Sequence, residues 1–484
     1  MKSLNKNDSI QRGNTAVAVK AGFWYVASTV ILKGLAFITT PIFARLMSAA
    51  AYGEFSNYAS WQATLLIMTS AELYNTLGRA YYDFKDQYDQ YASSIVIASM
   101  GTTLLFYILF LLSGDWIYNI VSIPKQYVHM LFFTLMFQAC RSVFLARERT
   151  LYRYKTVATL TVLNLLVPTL ISVILVIIAP DSQKLSARIY GNYLPTSLIG
   201  VGCAAVLLYK GKSFNIKHCW YAFKLALPMM AHYLSAYVLT STNTIMTKNF
   251  FGAQTVAIVS IASSTIHILT VVFQALSGAL TTWVMDNLEQ NKREKIRRNL
   301  IVYVGFLAAV SVVVILFAPE VVWILGGTKY RASAFLVPGL IVGAFIQGLT
   351  TVFTIILTYD KNIAKTAFFT GVISVMNIGA KFFLLPLVGY AVLPYISIAT
   401  NAIIFVINYL LVKRAGYGDT INFRGITMII LVVITIMAFH PLLYQYNSIR
   451  YVVILVFSAM TAMVLWKNRK LLLSILKSTP RKKA

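Results

Sequence analysis

The chain has 484 residues, of which 58% are hydrophobic and 12% are charged. A typical soluble domain carries about 25% charged residues, so this composition excludes an ordinary soluble enzyme. The 42 Lys and Arg residues outnumber the 15 Asp and Glu residues and give a net charge of +27, but they lie in short connections between apolar runs. This distribution indicates membrane topology rather than a nucleic-acid partner.

Apolar runs of membrane-spanning length recur along the whole chain. An α-helix needs roughly 20 apolar residues to cross a hydrocarbon core of about 30 Å. We therefore predict an all-α polytopic membrane protein with about 14 transmembrane helices. Their predicted bounds are residues 22–47, 56–79, 92–114, 128–147, 156–179, 187–209, 223–246, 256–284, 299–318, 334–358, 365–387, 389–412, 425–440 and 450–466.

Basic residues are distributed unequally between the two predicted sides of the membrane. The two tails and the even-numbered connections, with the helix ends beside them, hold 32 of the 42 Lys and Arg residues, whereas the odd-numbered connections hold eight. By the positive-inside rule, this bias predicts that both termini are cytoplasmic. The three cysteines are widely separated, which supports neither a disulfide framework nor a metal site.

Ionised side chains inside the predicted spans are functional candidates, because each costs about 2.5–3.5 kcal/mol unless it faces protein or water. Lys33 lies near the middle of the first span and either lines a cavity, snorkels or forms a structural pair. Glu72, Asn75 and Arg79 follow helical spacing and predict one polar stripe on the second span. Glu72 is either a proton carrier or the partner of Lys33 or Arg79. Arg79 is either an interfacial topology charge or a phosphate contact.

Two further spans carry polar side chains at helical spacing. Arg141 lies one turn after Gln138, and its planar guanidinium is suited to binding anionic oxygens in pairs. Ser374, Asn377 and Lys381 predict a second polar stripe, on the eleventh span. Lys381 either faces a cavity or snorkels toward the outer surface.

Several short motifs resemble the polysaccharide transporters of the multidrug/oligosaccharidyl-lipid/polysaccharide exporter superfamily, and the nearest group is the Wzx-type flippases of O-antigen and capsule repeat units. The motifs are FITTPIFARLMS at 37–48, YGEFS at 52–56, LP at 227–228, NTIMTKNFFG at 243–252 and VSIA at 259–262. One residue departs from the family pattern, because an acidic residue is often expected where Asn243 stands.

The resemblance implies two six-helix lobes around a central cavity, followed by two additional helices. The predicted divisions are a cytoplasmic tail at 1–21, an N-terminal lobe at 22–209, a cytoplasmic linker at 210–222, a C-terminal lobe at 223–412, two more helices at 413–466 and a basic cytoplasmic tail at 467–484. Such a protein would cross the bacterial inner (plasma) membrane many times.

The resemblance also implies a flippase, not an enzyme, that moves undecaprenyl-diphosphate-linked oligosaccharide from the cytoplasmic to the outer leaflet for surface polysaccharide synthesis. Its expected partners are this substrate, membrane lipid and the polysaccharide polymerase machinery, with no nucleic acid. It would need no cofactor, and a proton or sodium gradient is the candidate energy source. The predicted substrate-binding residues are Lys33, Arg45, Arg79, Arg141, Asn377 and Lys381, and Glu72 is the predicted coupling residue.

Two alternatives remain open at this stage. A cation-coupled drug or metabolite exporter of the same superfamily would be expected to have an acidic or aromatic cavity, whereas the candidate residues here are mainly basic. A membrane polymerase acting on the same lipid would be expected to carry a large outer loop, whereas the odd-numbered connections are all short.

Overall fold

The structure is a computed structural model that describes residues 37–467. The regular elements in this range are helical, which confirms the predicted all-α polytopic fold. In chain order the α-helices are α1 (Phe37–Leu46), α2 (Ala49–Ser70), α3 (Leu77–Asp83), α4 (Tyr88–Leu112), α5 (Asp115–Val121), α6 (Val128–Thr150), α7 (Tyr154–Ile178), α8 (Lys184–Gly211), α9 (Ile216–Glu289), α10 (Arg293–Leu316), α11 (Ala318–Gly326), α12 (Val337–Tyr359), α13 (Ile363–Val388), α14 (Leu393–Arg414), α15 (Phe423–Ala438), α16 (His440–Gln445) and α17 (Asn447–Lys467).

Within residues 37–467, nine helical segments are long and apolar enough to cross a membrane. Three shorter apolar helices, α1, α15 and α17, coincide with further predicted spans. The seventh and eighth predicted spans fall on α9, whose helical geometry is interrupted at Gly252 with φ +78°. The multi-pass membrane architecture is therefore established, and the count of 14 spans stays a prediction.

The chain divides into two compact units between Asn249 and Phe250. This division lies later than the predicted linker at 210–222. The reason is that Ala222 and Ala226, near the start of α9, are buried in the same apolar cluster as α4 and α6 of the first unit. The predicted lobes at 22–209 and 223–412 stay a prediction.

Close helix packing in the first unit depends on three glycines of α8. A Cβ atom at Gly200 would lie 2.3 Å from the carbonyl oxygen of Phe137 in α6. Equivalent atoms at Gly191 and Gly211 would lie 2.7 Å and 2.4 Å from backbone atoms of α7 and α4. The three glycines therefore let the backbones of α4, α6 and α7 approach α8 directly, as small residues commonly do in membrane helices.

Gly200→Ala is expected to lower the free energy of unfolding by about 1–3 kcal/mol, because the added methyl group meets backbone that cannot rotate away. The matched control is Gly101→Ala in α4, where no atom lies within 4 Å of the added Cβ. That control is expected to be neutral or slightly stabilising through helix propensity. Thermal unfolding of the purified proteins measures the difference. Equal stability of the two variants would contradict the close contact between Gly200 of α8 and the backbone of Phe137 in α6.

The second unit uses the same device between α12 and α14. Cβ atoms at Gly339 and Gly343 would lie 2.5 Å from Pro394 Cβ and 2.7 Å from Ser397 Oγ. These two glycines are one helical turn apart, so one face of α12 lies directly against α14. The contact holds α14 beside α13, which carries the polar residues of this unit.

Candidate functional site

The second predicted span, 56–79, is not one continuous helix. α2 ends at Ser70, and Ala71 and Glu72 adopt left-handed geometry with φ values of 46° and 55°. A short 3-10 turn and then α3 follow. Two consecutive non-glycine residues in this conformation are costly, and such strain tends to persist at functional sites. The break therefore marks this part of the first unit as a candidate site.

Nearby polar groups stabilise the broken backbone. The Thr102 hydroxyl of α4 donates to the carbonyl oxygen of Thr69 at 2.6 Å. The Glu72 N–H donates to the Ser70 hydroxyl at 3.3 Å. Non-helical backbone at membrane depth is tolerated only where protein buries it or where it lines a water-filled cavity. The break is therefore stabilised both by a local side chain, Ser70, and by Thr102 of the neighbouring helix α4.

The Glu72 side chain is buried at this break, with 4% of its surface exposed. The Asn75 side-chain amide donates to its carboxylate at 2.6 Å, and the Tyr74 side chain also forms a hydrogen bond with it. Of the two predicted ion-pair partners, Lys33 lies outside the described residues and Arg79 pairs elsewhere. Glu72 is therefore held by neutral donors on its own segment.

The prediction that Glu72, Asn75 and Arg79 share one helical face is wrong, because the break changes the direction of the chain between them. Arg79 lies on α3 with its side chain 70% exposed and forms an ion pair with Asp83 at 3.3 Å. The Tyr221 hydroxyl also donates to Asp83. This hydrogen bond, with the charge of Arg79, holds the pKa of Asp83 below its usual range. Arg79 therefore belongs to a polar cluster beyond the end of the span.

Arg141 lies inside α6, one turn after Gln138, which is hydrogen-bonded to Gln62 of α2. Its Nε atom is buried and has no hydrogen-bond partner among residues 37–467. The groups that act on it electrostatically are the Cys203 thiol and another cation, Arg149. An uncompensated buried charge is costly, so the arrangement suits an anion that arrives with a ligand.

A further half-buried arginine, Arg188 of α8, was missed as a site residue because in the sequence it is only one of the eight basic residues of the odd-numbered connections and their helix ends. Its guanidinium carbon lies 3.3 Å and 4.4 Å from the ring centroids of Phe43 and Phe55. It also donates to the Ser172 hydroxyl at 2.9 Å. Cation–π contacts of this kind are worth about 2 kcal/mol or more when desolvated. The two phenylalanines belong to the motifs at 37–48 and 52–56, which was the available signal.

In the second unit, Ser374, Asn377 and Lys381 are all buried on α13, which confirms that they share a face. The Asn377 amide donates to the Thr400 hydroxyl of α14 at 2.7 Å, and its own Oδ1 has no partner in the described part of the chain. The side chain of Lys381 is 1% exposed, so it lies within the protein and does not snorkel outward.

The structure thus separates the predicted site residues by environment. Glu72, Asn377 and Lys381 are buried and Arg141 is half-buried, whereas Arg79 is exposed on α3. Arg45 is exposed near the end of α1. Each of the two units contributes a buried polar region that includes at least one cation.

Comparisons with known proteins match this architecture. The family model described as polysaccharide biosynthesis protein matches residues 18–281, and the MatE family model matches residues 228–383. No curated protein matches the chain.

Two kinds of solved transporter have a similar fold. The lipid II flippase MurJ, in an inward closed conformation, superposes with a TM-score of 0.70 at 14% identity, covering 92% of this chain and 99% of that one. An inward-facing multidrug resistance MATE family transporter of the MOP superfamily gives a TM-score of 0.54 at 15% identity, covering 82% of this chain and 95% of that one. Because the first family model matches more than half of this chain, the chain belongs to the polysaccharide biosynthesis protein family, and it shares its fold with these two transporters.

Proposed function

We propose that this protein flips undecaprenyl-diphosphate-linked oligosaccharide repeat units from the cytoplasmic to the outer leaflet, for O-antigen, capsule or exopolysaccharide synthesis. The observation that carries the proposal is the half-buried side chain of Arg141, whose buried Nε has no hydrogen-bond partner and which forms no ion pair within the described residues. A diphosphate supplies paired anionic oxygens that match the guanidinium fork. Membership of the polysaccharide biosynthesis family supports a carbohydrate-bearing substrate.

The substrate has three parts, and each requires a different chemistry. The diphosphate requires cations, for which we propose Lys33, Arg141 and Lys381. The sugar hydroxyls require amide and hydroxyl partners, and the unpartnered Oδ1 of Asn377 is one acceptor. The polyprenyl tail can remain in lipid, so it requires no polar group.

Two exposed arginines extend the proposed path beyond the buried residues. Arg79 is exposed on α3, at the predicted cytoplasmic end of the second span, where we propose that it contacts the diphosphate. Arg45 is exposed near the end of α1, at the predicted outer end of the first span. There it can contact the oligosaccharide head group as the substrate leaves the protein. Both residues are proposed as transient contacts because water weakens the attraction of an exposed charge.

We propose Glu72 as the coupling residue. A site that binds the substrate equally well in both orientations shifts no equilibrium, so transport requires a group whose state changes. Protonation of Glu72 would remove a negative charge at the strained break after α2. If that segment has two conformations, the loss of charge would favour one of them over the other. A proton gradient is then the direct energy source, and sodium is the alternative.

The test of the substrate assignment is deletion of the gene in its native host. We expect repeat units to be assembled on the carrier lipid but to stay unpolymerised and facing the cytoplasm, with surface polysaccharide lost. Single repeat units on the cell surface would instead assign a polymerase. If the deletion strain has normal lipid-linked intermediates and is more sensitive to drugs, the protein is instead a drug or metabolite exporter.

The proposed orientation, with both termini cytoplasmic, has its own test. On a cysteine-free background, a membrane-impermeant thiol reagent added outside the cell should label a cysteine placed at Asp181. It should fail to label cysteines placed between Asp286 and Arg298. The reversed labelling pattern would contradict the positive-inside argument.

A further inference from the structure

An open groove of about 670 Å³ lies on the surface of the first unit, between α6, α7 and α8. One end carries Lys155, Thr156 and Thr159 from the first turns of α7, beside the basic connection after α6. The rest of the wall is mainly apolar and includes Leu163 and Val206. The groove therefore has a cationic, hydroxyl-bearing mouth and a hydrocarbon-like body.

Gly202 of α8 keeps this groove open. Gly191, Gly200 and Gly211 of the same helix are covered by neighbouring backbone, whereas no atom lies within 4 Å of a Cβ added at Gly202. The groove is therefore a gap in otherwise close packing.

Charge around the mouth of the groove is strongly positive. Lys155 is exposed there, and Arg149 at the end of α6 and Arg153 in the connection after it are exposed as well. The nearby carboxylate of Glu148 is already neutralised by its ion pair with Arg147. The field at the mouth thus favours an anionic head group.

We propose that this groove binds an anionic phospholipid from the leaflet on the side of the basic connections. Its phosphate would lie at Lys155 and the hydroxyls of Thr156 and Thr159, and one acyl chain would follow Leu163 past Gly202. Basic pockets between membrane helices on the cytoplasmic side are suited to such head groups. Leu166, Leu170 and Leu175 of α7 are exposed beyond Leu163, so a lipid can enter sideways from the bilayer.

This lipid site does not depend on the proposed substrate, because neither Lys155 nor Gly202 is among the proposed substrate contacts. Bound lipid would link the first turns of α7 to α8 and so stabilise the folded transporter. A ligand that binds only the folded state raises its stability in proportion to the logarithm of the ligand concentration. Stability is therefore a direct readout of the site.

The experiment uses the full-length protein, purified in detergent and stripped of lipid. Phosphatidylglycerol at saturation is expected to raise Tm by about 3 °C, whereas phosphatidylcholine with the same acyl chains leaves it unchanged. Native mass spectrometry should show one retained phosphatidylglycerol. Lys155→Ala is expected to weaken binding about fivefold, the effect of removing one basic residue near an anionic lipid. Gly202→Leu should abolish binding by filling the groove.

Two matched controls separate groove binding from general effects. Lys217→Ala removes another exposed charge at the start of α9, and Gly101→Leu adds the same side chain at an open glycine of α4. Both controls should retain the wild-type response. The proposal is overturned if Gly202→Leu responds like wild type, if phosphatidylcholine stabilises equally, or if undecaprenyl phosphate is retained and phosphatidylglycerol is not.

Discussion

Arg141→Ala is expected to reduce flipping of lipid-linked repeat units about 30-fold or more and to abolish complementation of surface polysaccharide. The estimate follows from the loss of about 2 kcal/mol or more when one member of a buried charge pair is removed. Arg141→Lys should retain part of the activity, because it keeps the charge but loses the bidentate fork. The measurement is surface polysaccharide in a deletion strain, with membrane levels of each variant determined in parallel.

The same substitution should leave stability unchanged or raise it. Arg141 has no ion-pair partner among residues 37–467, so its removal strands no carboxylate and removes a half-buried charge whose Nε is unpaired. Loss of transport together with an undiminished Tm would separate a ligand-binding role from a structural one. A lowered Tm with normal residual transport would assign Arg141 a structural role instead.

The other proposed residues can be ranked in the same strain. Lys33→Ala should retain little activity and Lys33→Arg some, because attraction to the diphosphate depends on charge. Lys381→Ala and Glu72→Gln should also be impaired. Lys217→Ala is the control for loss of one positive charge. If Arg141→Ala, Lys33→Ala, Lys381→Ala and Glu72→Gln all reach normal levels and restore full polysaccharide, the mechanism based on buried cations is wrong.

Glu148→Ala is expected to destabilise the protein by about 1.5–3 kcal/mol, because it removes one of the two carboxylates that pair with the buried guanidinium of Arg147. Glu148 and Arg147 are adjacent in α6, and their side chains are only 2% and 5% exposed. Arg147 also donates through Nε to Asp89 of α4 at 2.7 Å. Removing Glu148 leaves the buried guanidinium with Asp89 as its remaining carboxylate. The loss should appear as a large fall in Tm and in membrane level.

Arg153→Ala provides the control within the same network. Arg153 contacts the other carboxylate oxygen of Glu148 at 3.4 Å, but its side chain is 52% exposed. Exposed ion pairs contribute about 0–1 kcal/mol, so this variant should stay close to wild type. Equal destabilisation by Glu148→Ala and Arg153→Ala would contradict the view that burial of the network determines its energy.

Arg141 and Arg147 show where inference from the sequence ends. Both lie on α6, and their spacing gives no reason to separate a ligand contact from a structural residue. The difference comes from Asp89 of α4, far away in sequence, which reaches Arg147. Sequence patterns report residues on one helix, whereas partners across helices depend on the fold.

The long apolar helices that the structure describes were predictable because apolar length is a local property of the sequence. The break at Ala71–Glu72 was not predictable. Residues 67–77 contain neither glycine nor proline, so their sequence predicts a continuous helix. Tertiary contacts such as the Thr102 hydrogen bond maintain it. The stripe on α13 was predicted correctly because that helix is uninterrupted from Ile363 to Val388.

The central claim is that the protein moves a lipid-linked oligosaccharide across the bilayer using a buried cation. Its most direct test is reconstitution into liposomes with the lipid-linked repeat unit, followed over time by a membrane-impermeant oxidant that modifies only outward-facing sugars. Wild type and Lys217→Ala should expose the inner-leaflet sugars to the oxidant, whereas Arg141→Ala should do so about 30-fold more slowly or worse. Two results would contradict the account. One is that, with wild type, the oxidant modifies only the sugars that start in the outer leaflet. The other is that the inner-leaflet sugars are oxidised as fast with Arg141→Ala as with wild type.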